Sequence, residues 1–211
     1  MDNADRTIKA PIKAVVFDVG KVLIRWDMRL LFAKLIRDPA ELDWFLANVV
    51  TEEWHFEHDA GRELAEMVAE KKLQFPDHAH IIEAYATRFL ETIPGHIPGT
   101  HELVERLAAR DVPLYALTNF AVPFWAEFRP TEPIFDHFRD IVVSGQEKMA
   151  KPDPAIYALS EERFGYPGHE LLFIDDNPAN IKAARECGWN AHHFHDAKSL
   201  EADLKAYGLL D

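Results

Sequence analysis

Five short, largely apolar runs recur along this chain, at 12–18 (IKAVVFD), 113–117 (PLYAL), 140–143 (DIVV), 171–174 (LLFI) and 190–194 (NAHHF). Short apolar runs without strict alternation are the mark of strands buried on both faces. Helical patterns lie between the later ones, at 100–110 (THELVERLAAR), 153–164 (DPAIYALSEERF) and 178–187 (PANIKAAREC), the last followed by Gly188 at a C-cap position. Strands alternating with amphipathic helices demand parallel neighbours joined by crossovers. The expected class is therefore α/β, an open doubly wound parallel sheet.

One interval breaks the alternation. Between 28 and 93 only helix-like segments occur, at 29–37, 40–50, 60–73 and 78–92, the last with Ile81, Ile82, Tyr85, Phe89 and Ile93 near helical spacing. This reads as an all-α insertion after the first strand, with IPGHIPG (93–99) as the hinge back to the sheet. The expected division is a core of 1–27 and 94–211 and a helical insertion of 28–93. A chain of 211 residues has room for one ample core and such a companion.

Charge narrows the partners. Lys and Arg total 23 against 36 Asp and Glu, a net charge of −13, which repels nucleic acid and anionic membranes. The same field repels small anions, so any phosphate or carboxylate pocket needs its own local positive charge. No run of about 18 uncharged apolar residues suggests a membrane span. The N-terminal MDNADRTIKAP has neither the charged start nor the apolar middle of a signal peptide. Cys187 is the one cysteine; it fits a reducing compartment, hence an expected cytoplasmic location, and reads as a small buried residue at a helix end.

In open α/β sheets ligands bind at the carboxyl ends of the strands. Those ends carry Asp18, Thr118 with Asn119, and Asp175-Asp176-Asn177; a further candidate is Lys151 in KMAKPDPAIY, just before a helix start. Singly, Asp18 reads equally as a turn residue, Thr118-Asn119 as a turn opening and Lys151 as a solvated side chain. Adjacent carboxylates at Asp175 and Asp176 repel each other unless a cation or donors compensate. Together the set is coherent. Asp18, Asp175 and Asp176 offer hard oxygen ligands of the kind Mg²⁺ prefers, while Thr118, Asn119 and Lys151 offer donors and positive charge to a phosphoryl group. A carboxylate beside the metal is also a potential nucleophile.

The order VVFDVGKVL, LTN, KPDPAIY, FIDDNPANI resembles the haloacid dehalogenase superfamily of hydrolases, with its four motifs in sequence between about residues 12 and 195. The resemblance implies a Rossmann-like core with Asp18 as nucleophile, Thr118 and Lys151 as phosphate binders, and an acid pair, Asp175 and Asp176, holding Mg²⁺; of that pair Asp176 is the expected direct ligand, with Asp175 direct or through water. It also implies that the helical insertion is a cap closing over the site. Asn180, one helical turn behind Asp176, is expected either to orient it or to be an unremarkable polar position.

Gly20 is the departure. Most phosphatases of that family carry a second aspartate there as general acid and base. FDVGKVL is similar to the FDxGxV form found in bacterial sugar-phosphate phosphatases, where the backbone carbonyl at this position, here Gly20, still reaches the metal. The expected function is a Mg²⁺-dependent phosphomonoester hydrolase acting on a small anionic, phosphorylated metabolite, with an aspartyl-phosphate intermediate. Two alternatives stand beside it: a metal-free 2-haloacid dehalogenase, whose fourth motif begins with two serines, and a non-catalytic relative that binds a phosphometabolite or a partner. For the missing proton donor, EEWHFEHDAGRE supplies His55 and His58, which otherwise read as ordinary histidines. His193 and His195 read as an edge or surface cluster rather than a transition-metal site. Phe120, Phe124, Trp125 and Phe128 read as core packing before a site wall or dimer surface.

Overall fold

The computed structural model describes residues 11–211; residues 1–10, which hold most of the N-terminal stretch read above for a signal, lie outside the described residues. Strand β1 (Ala14–Phe17) leads through β2 (Ile24–Arg25) into helices α1 (Arg29–Phe32), α2 (Pro39–Asn48), α3 (Glu52–Asp59), α4 (Leu64–Gln74) and α5 (Ala79–Thr87). The chain returns through β3 (Gly95–His96) and α6 (Thr100–Ala108). It continues as β4 (Leu114–Thr118), α7 (Val122–Phe128), β5 (Asp140–Val143), α8 (Ser144–Glu147), α9 (Pro154–Phe164) and β6 (Leu171–Asp175). The last elements are α10 (Pro178–Glu186), β7 (Asn190–His193) and α11 (Ala197–Ala206).

The main sheet runs β5-β4-β1-β6-β7, and every pairing in it is parallel. Residues of β1 alternate between two apolar layers. Val15 and Phe17 face the layer formed with α6, α11 and the helical segment, through Leu103, Leu107, Leu204 and Phe89. Ala14 and Val16 face the layer under α9 and α10, with Ile156, Tyr157, Ile181 and Ala184. A strand covered on both sides needs no polar face, which is why the strand runs are so uniformly apolar.

From β1 the chain moves outward to β4 and β5, then crosses back to β6 on the other side. That reversal opens a crevice at the carboxyl ends of β1, β4 and β6. Phe17 pairs with Ile174 on one side and Ala116 on the other, so Asp18 and Asp175 stand level at the crevice floor. The hinge stretch is more than a loop: β2 and β3 form an antiparallel ribbon, with Ile24 opposite His96 and Arg25 opposite Gly95.

The segment between β2 and β3 is helical, as its periodicity indicates, but its contents differ from expectation. Helix α3 was not among the expected segments, and the interval 60–73 becomes α4 only from Leu64, after Gly61 at φ +100°. Thr51 caps α3 by accepting from the Trp54 N–H at 3.1 Å. Its buried residues are Trp54, His55, His58 and Asp59, so the inward face of this helix is mostly titratable and an apolar-spacing criterion passes over it. Helix α11, capped by Asp196 accepting from the Ser199 N–H at 2.7 Å, was also not expected.

Candidate active site

The crevice floor is a buried charge cluster. Lys151 is 1% exposed, and its ammonium donates to Asp175 Oδ2 at 2.7 Å and pairs with Asp18 Oδ1 at 2.9 Å. Asp18 follows β1 directly; its backbone N–H donates to Ile174 O at 2.8 Å, and its Oδ1 accepts from the Val19 N–H at 2.7 Å. Asp175, the last residue of β6, is fully buried and accepts from the Asn177 N–H at 2.7 Å.

Two asparagines hold this cluster rather than facing solvent. Asn119 Nδ2 donates to Lys151 O, while Asn119 Oδ1 accepts from the Lys151 N–H, both at 2.9 Å. One N–H and the oxygen of its amide are held by the lysine's backbone, so Asn119 places Lys151 while itself lining the cavity above. Asn180 Nδ2 reaches Asp175 Oδ1 at 3.2 Å and Oδ2 at 3.0 Å. The expectation that it orients Asp176 is therefore corrected: from α10 it faces the other member of the pair. Thr118 is fully buried, and its hydroxyl has one long contact, 3.5 Å to Asn119 O, which leaves it able to donate elsewhere.

Asp18, Asp175 and Asp176 each present an oxygen, all within 4.8 Å of one another. That spacing suits a small octahedral cation, whose ligand oxygens lie roughly 3–4 Å apart at Mg²⁺–O distances near 2.1 Å. The charge balance points the same way. Three carboxylates face one ammonium, and a divalent cation makes the sum zero. Without one, burial and then the neighbouring Asp175 and Asp176 charges push the Asp18 carboxyl up to about 7, against the opposing pull of Lys151. Burial and the Asp175 charge also raise Asp176. For Lys151, burial works against the charge, but the Asp175 and Asp18 carboxylates outweigh it and hold the ammonium above its ordinary range.

A prediction follows for the metal-free protein. Asp18 titrates from about 4 in the unfolded chain to about 7 when folded. Between those values the folded form holds a proton that the unfolded chain has released, so stability falls as pH rises through the window. The unfolding temperature in EDTA should fall more steeply from pH 4 to 7 for the native protein than for Asp18→Asn. Parallel curves for the two proteins would refute the assignment.

Above the floor lies a cavity of about 370 Å³ whose walls include Trp26, His55, Phe56, Asp59, Phe89 and Phe120. Asp18, Gly20, Lys151 and Asp176 line its base. Helix α3 thus supplies one wall, and its register separates the two candidate histidines. His55 faces the cavity, whereas His58 lines a different cleft, donates from Nδ1 to Arg62 O at 2.7 Å, and is kept below its usual range by burial. Asp59, one turn after His55, lines the cavity and was not singled out from the sequence; the i, i+4 spacing of His and Asp was the available signal.

His193 Nε2 meets Asp176 O at 2.8 Å, so this histidine braces the acid pair's backbone. Among the described residues, the metal-ligand cluster is the Asp18, Asp175 and Asp176 group. Phe120, Phe124, Trp125 and Phe128 are buried, and Phe124 stacks on Phe89 at 3.9 Å, joining α7 to the helical segment. Among the described residues no helix is long and apolar enough to cross a membrane.

A crevice at a switch point, an aspartate after β1, a lysine bridging it to an acid pair and a helical segment overhead together define a hydrolase class. Residues 12–188 match the haloacid dehalogenase-like hydrolase family, and the chain belongs to it. Its relatives include phosphatases. It is 31% identical over 116 residues to flavin mononucleotide hydrolase 1 of Arabidopsis thaliana, covering 54% of this chain and 46% of that one; the match thus spans about half the length of that relative. It is 24% identical over 203 residues to the sesquiterpene phosphatase of Aspergillus oryzae, covering 92% of this chain and 95% of the relative. A haloacid dehalogenase family enzyme from Bacteroides thetaiotaomicron, solved with magnesium and inorganic phosphate, shares the fold with a TM-score of 0.65 and 22% identity over 90% of this chain and 98% of that one.

Proposed function

We propose that this hydrolase cleaves the phosphomonoester of a small metabolite, such as a sugar phosphate, through an aspartyl-phosphate on Asp18. The observation that carries this reading is the charge imbalance at the crevice floor. A metal-free dehalogenase attacking a haloacid would have to bring a carboxylate substrate against three carboxylates and a single lysine, and it would start from an Asp18 that favours its proton. A phosphate ester arriving with a divalent cation meets neither obstacle.

In this reading Asp18, Asp175, Asp176 and the Gly20 carbonyl hold Mg²⁺, which when bound supplies positive charge to the phosphoryl oxygens and keeps Asp18 ionised. Asp18 attacks phosphorus and the ester oxygen departs. Lys151, held at its backbone by Asn119, and the Thr118 hydroxyl steady the transferring group. Helices α1–α5 act as a cap, and the aromatic wall excludes water from the reacting centre. The core is then 1–27 with 94–211, and the cap 28–93.

The cap side of the cavity carries Glu52 and Glu53, and Lys21 nearby is paired with Glu52 at 3.6 Å. A second anion on the substrate is therefore unwelcome, and phosphoglycolate should turn over at least about tenfold less efficiently than an uncharged alcohol's phosphate. The basic test is release of p-nitrophenol from p-nitrophenyl phosphate. The reading expects release with Mg²⁺ and none in EDTA; halide release from 2-chloropropionate in EDTA, with no ester turnover, would contradict it.

A further inference from the structure

Gly20 leaves the core without a proton donor for the departing alcohol, and nothing in the backbone forces the omission. A Cβ built at Gly20 meets no atom within 4 Å, and its backbone is not left-handed. The cavity wall opposite holds a group of the right kind. His55 is sandwiched between Trp26, with ring centres 4.7 Å apart, and Phe89, at 5.6 Å. Its Nδ1 meets the Tyr85 hydroxyl at 2.5 Å, and its Nε2 meets Asp59 Oδ2 at 3.2 Å. Burial keeps the Tyr85 phenol un-ionised, so it always has a proton to offer Nδ1. A hydroxyl donating to Nδ1 places the remaining ring proton on Nε2, directed at Asp59.

Asp59 is 6% exposed, and its second oxygen, Oδ1, is buried with no hydrogen-bond partner. An orphaned carboxylate oxygen in a desolvated wall is costly unless it carries a proton or meets a ligand. The residue is also fixed against the core. Ser144, the first residue of α8, donates to Asp59 O at 2.5 Å and accepts from the Phe120 N–H at 3.0 Å. This anchors the end of α3 beside the loop that follows β4.

We infer that Asp59, oriented by His55 and Tyr85, is the general acid and base of this enzyme, supplying from the cap what Gly20 does not supply from the core. The inference rests on the phosphatase reading of the same site. In the first step Asp18 bonds to phosphorus, the bond from phosphorus to the ester oxygen breaks, and the proton on Asp59 Oδ1 passes to that oxygen, releasing a neutral alcohol. The carboxylate left behind is held by the His55 Nε2–H. In the second step Asp59 takes a proton from water as the water oxygen bonds to phosphorus and the Asp18–phosphorus bond breaks. Phosphate leaves, and both aspartates return to their starting states.

The test is leaving-group dependence, which a purely structural role does not alter. Wild type, Asp18→Asn, Asp59→Asn and His55→Phe are compared on p-nitrophenyl and phenyl phosphate, two esters of similar shape whose alcohols differ in their need for a proton. The phenylalanine keeps the stack on Trp26 and Phe89 while removing both ring nitrogens, and it serves as the readout should Asp59→Asn not fold. Asp59→Asn should lose roughly 10²–10³-fold in kcat/KM, which reports the step that expels the alcohol, on phenyl phosphate and several-fold on the nitrophenyl ester, and His55→Phe should show the same bias in kcat/KM with a smaller loss. Equal losses on both esters, or no loss, overturn the inference while Asp18-dependent turnover by wild type leaves the phosphatase reading standing. Absence of Asp18-dependent turnover on either ester removes both.

Discussion

Asp18→Asn should lose at least about 10³-fold in kcat on p-nitrophenyl phosphate and yet unfold no earlier than the native protein. The activity loss follows from the chemistry: the amide is a poor nucleophile and cannot form the acyl phosphate. The retained stability follows from the charge cluster. Asp18 is 8% exposed and shares its surroundings with Asp175 and Asp176. Removing one buried negative charge from three, while keeping an oxygen for the Lys151 contact at 2.9 Å, relieves repulsion. Above pH 7 without metal, the variant's unfolding temperature should equal or exceed that of the native chain. Such an exchange of stability for activity is usual where a site holds charges its surroundings do not fully offset. A variant that is inactive because it is unfolded would count against this account.

Lys151→Met should have the opposite consequence for the fold. Methionine keeps the length of the side chain and removes the charge, leaving Asp18 and Asp175 buried with no counter-ion. Breaking a buried pair in this way costs about 3–5 kcal/mol. In a chain of this size that lowers the unfolding temperature by roughly 6–20 °C. Asn119 grips the backbone of residue 151 at N and O, so the loop itself keeps its place and the loss reports the ammonium. Millimolar Mg²⁺ should recover part of the deficit, because a cation bound only by the folded form stabilises by mass action. An unfolding temperature unchanged in EDTA would mean that Lys151 is dispensable to the buried carboxylates.

The two variants probe features that were legible to different degrees. Strand ends are where an open parallel sheet presents ligands, so Asp18, Thr118 and Asp175 stood out from chain order and apolar runs alone. Lys151 stood out through the residues around it, but its burial between two carboxylates required the fold. The helical wall was far less legible. Helix α3 turns Trp54, His55, His58 and Asp59 inward, a face whose polarity hides it from any search for apolar spacing. Which histidine meets the cavity depends on the helix's rotation, and that rotation is set by the Trp26–His55–Phe89 stack and the Ser144 anchor, contacts between residues distant along the chain. Asn180 shows the same limit on a small scale: its position on α10 was visible, but only the packed helix decides that it meets Asp175.

The most direct test of the central claim is to trap the covalent intermediate. Native protein mixed with p-nitrophenyl phosphate and Mg²⁺ is quenched in acid during turnover, digested, and its peptides weighed. The account predicts one added phosphoryl group on the peptide containing Asp18, absent from Asp18→Asn and from samples mixed in EDTA instead of Mg²⁺ before the acid quench. Steady turnover with the Asp18 peptide unmodified at every quench time, or the phosphoryl group on another residue, would contradict it.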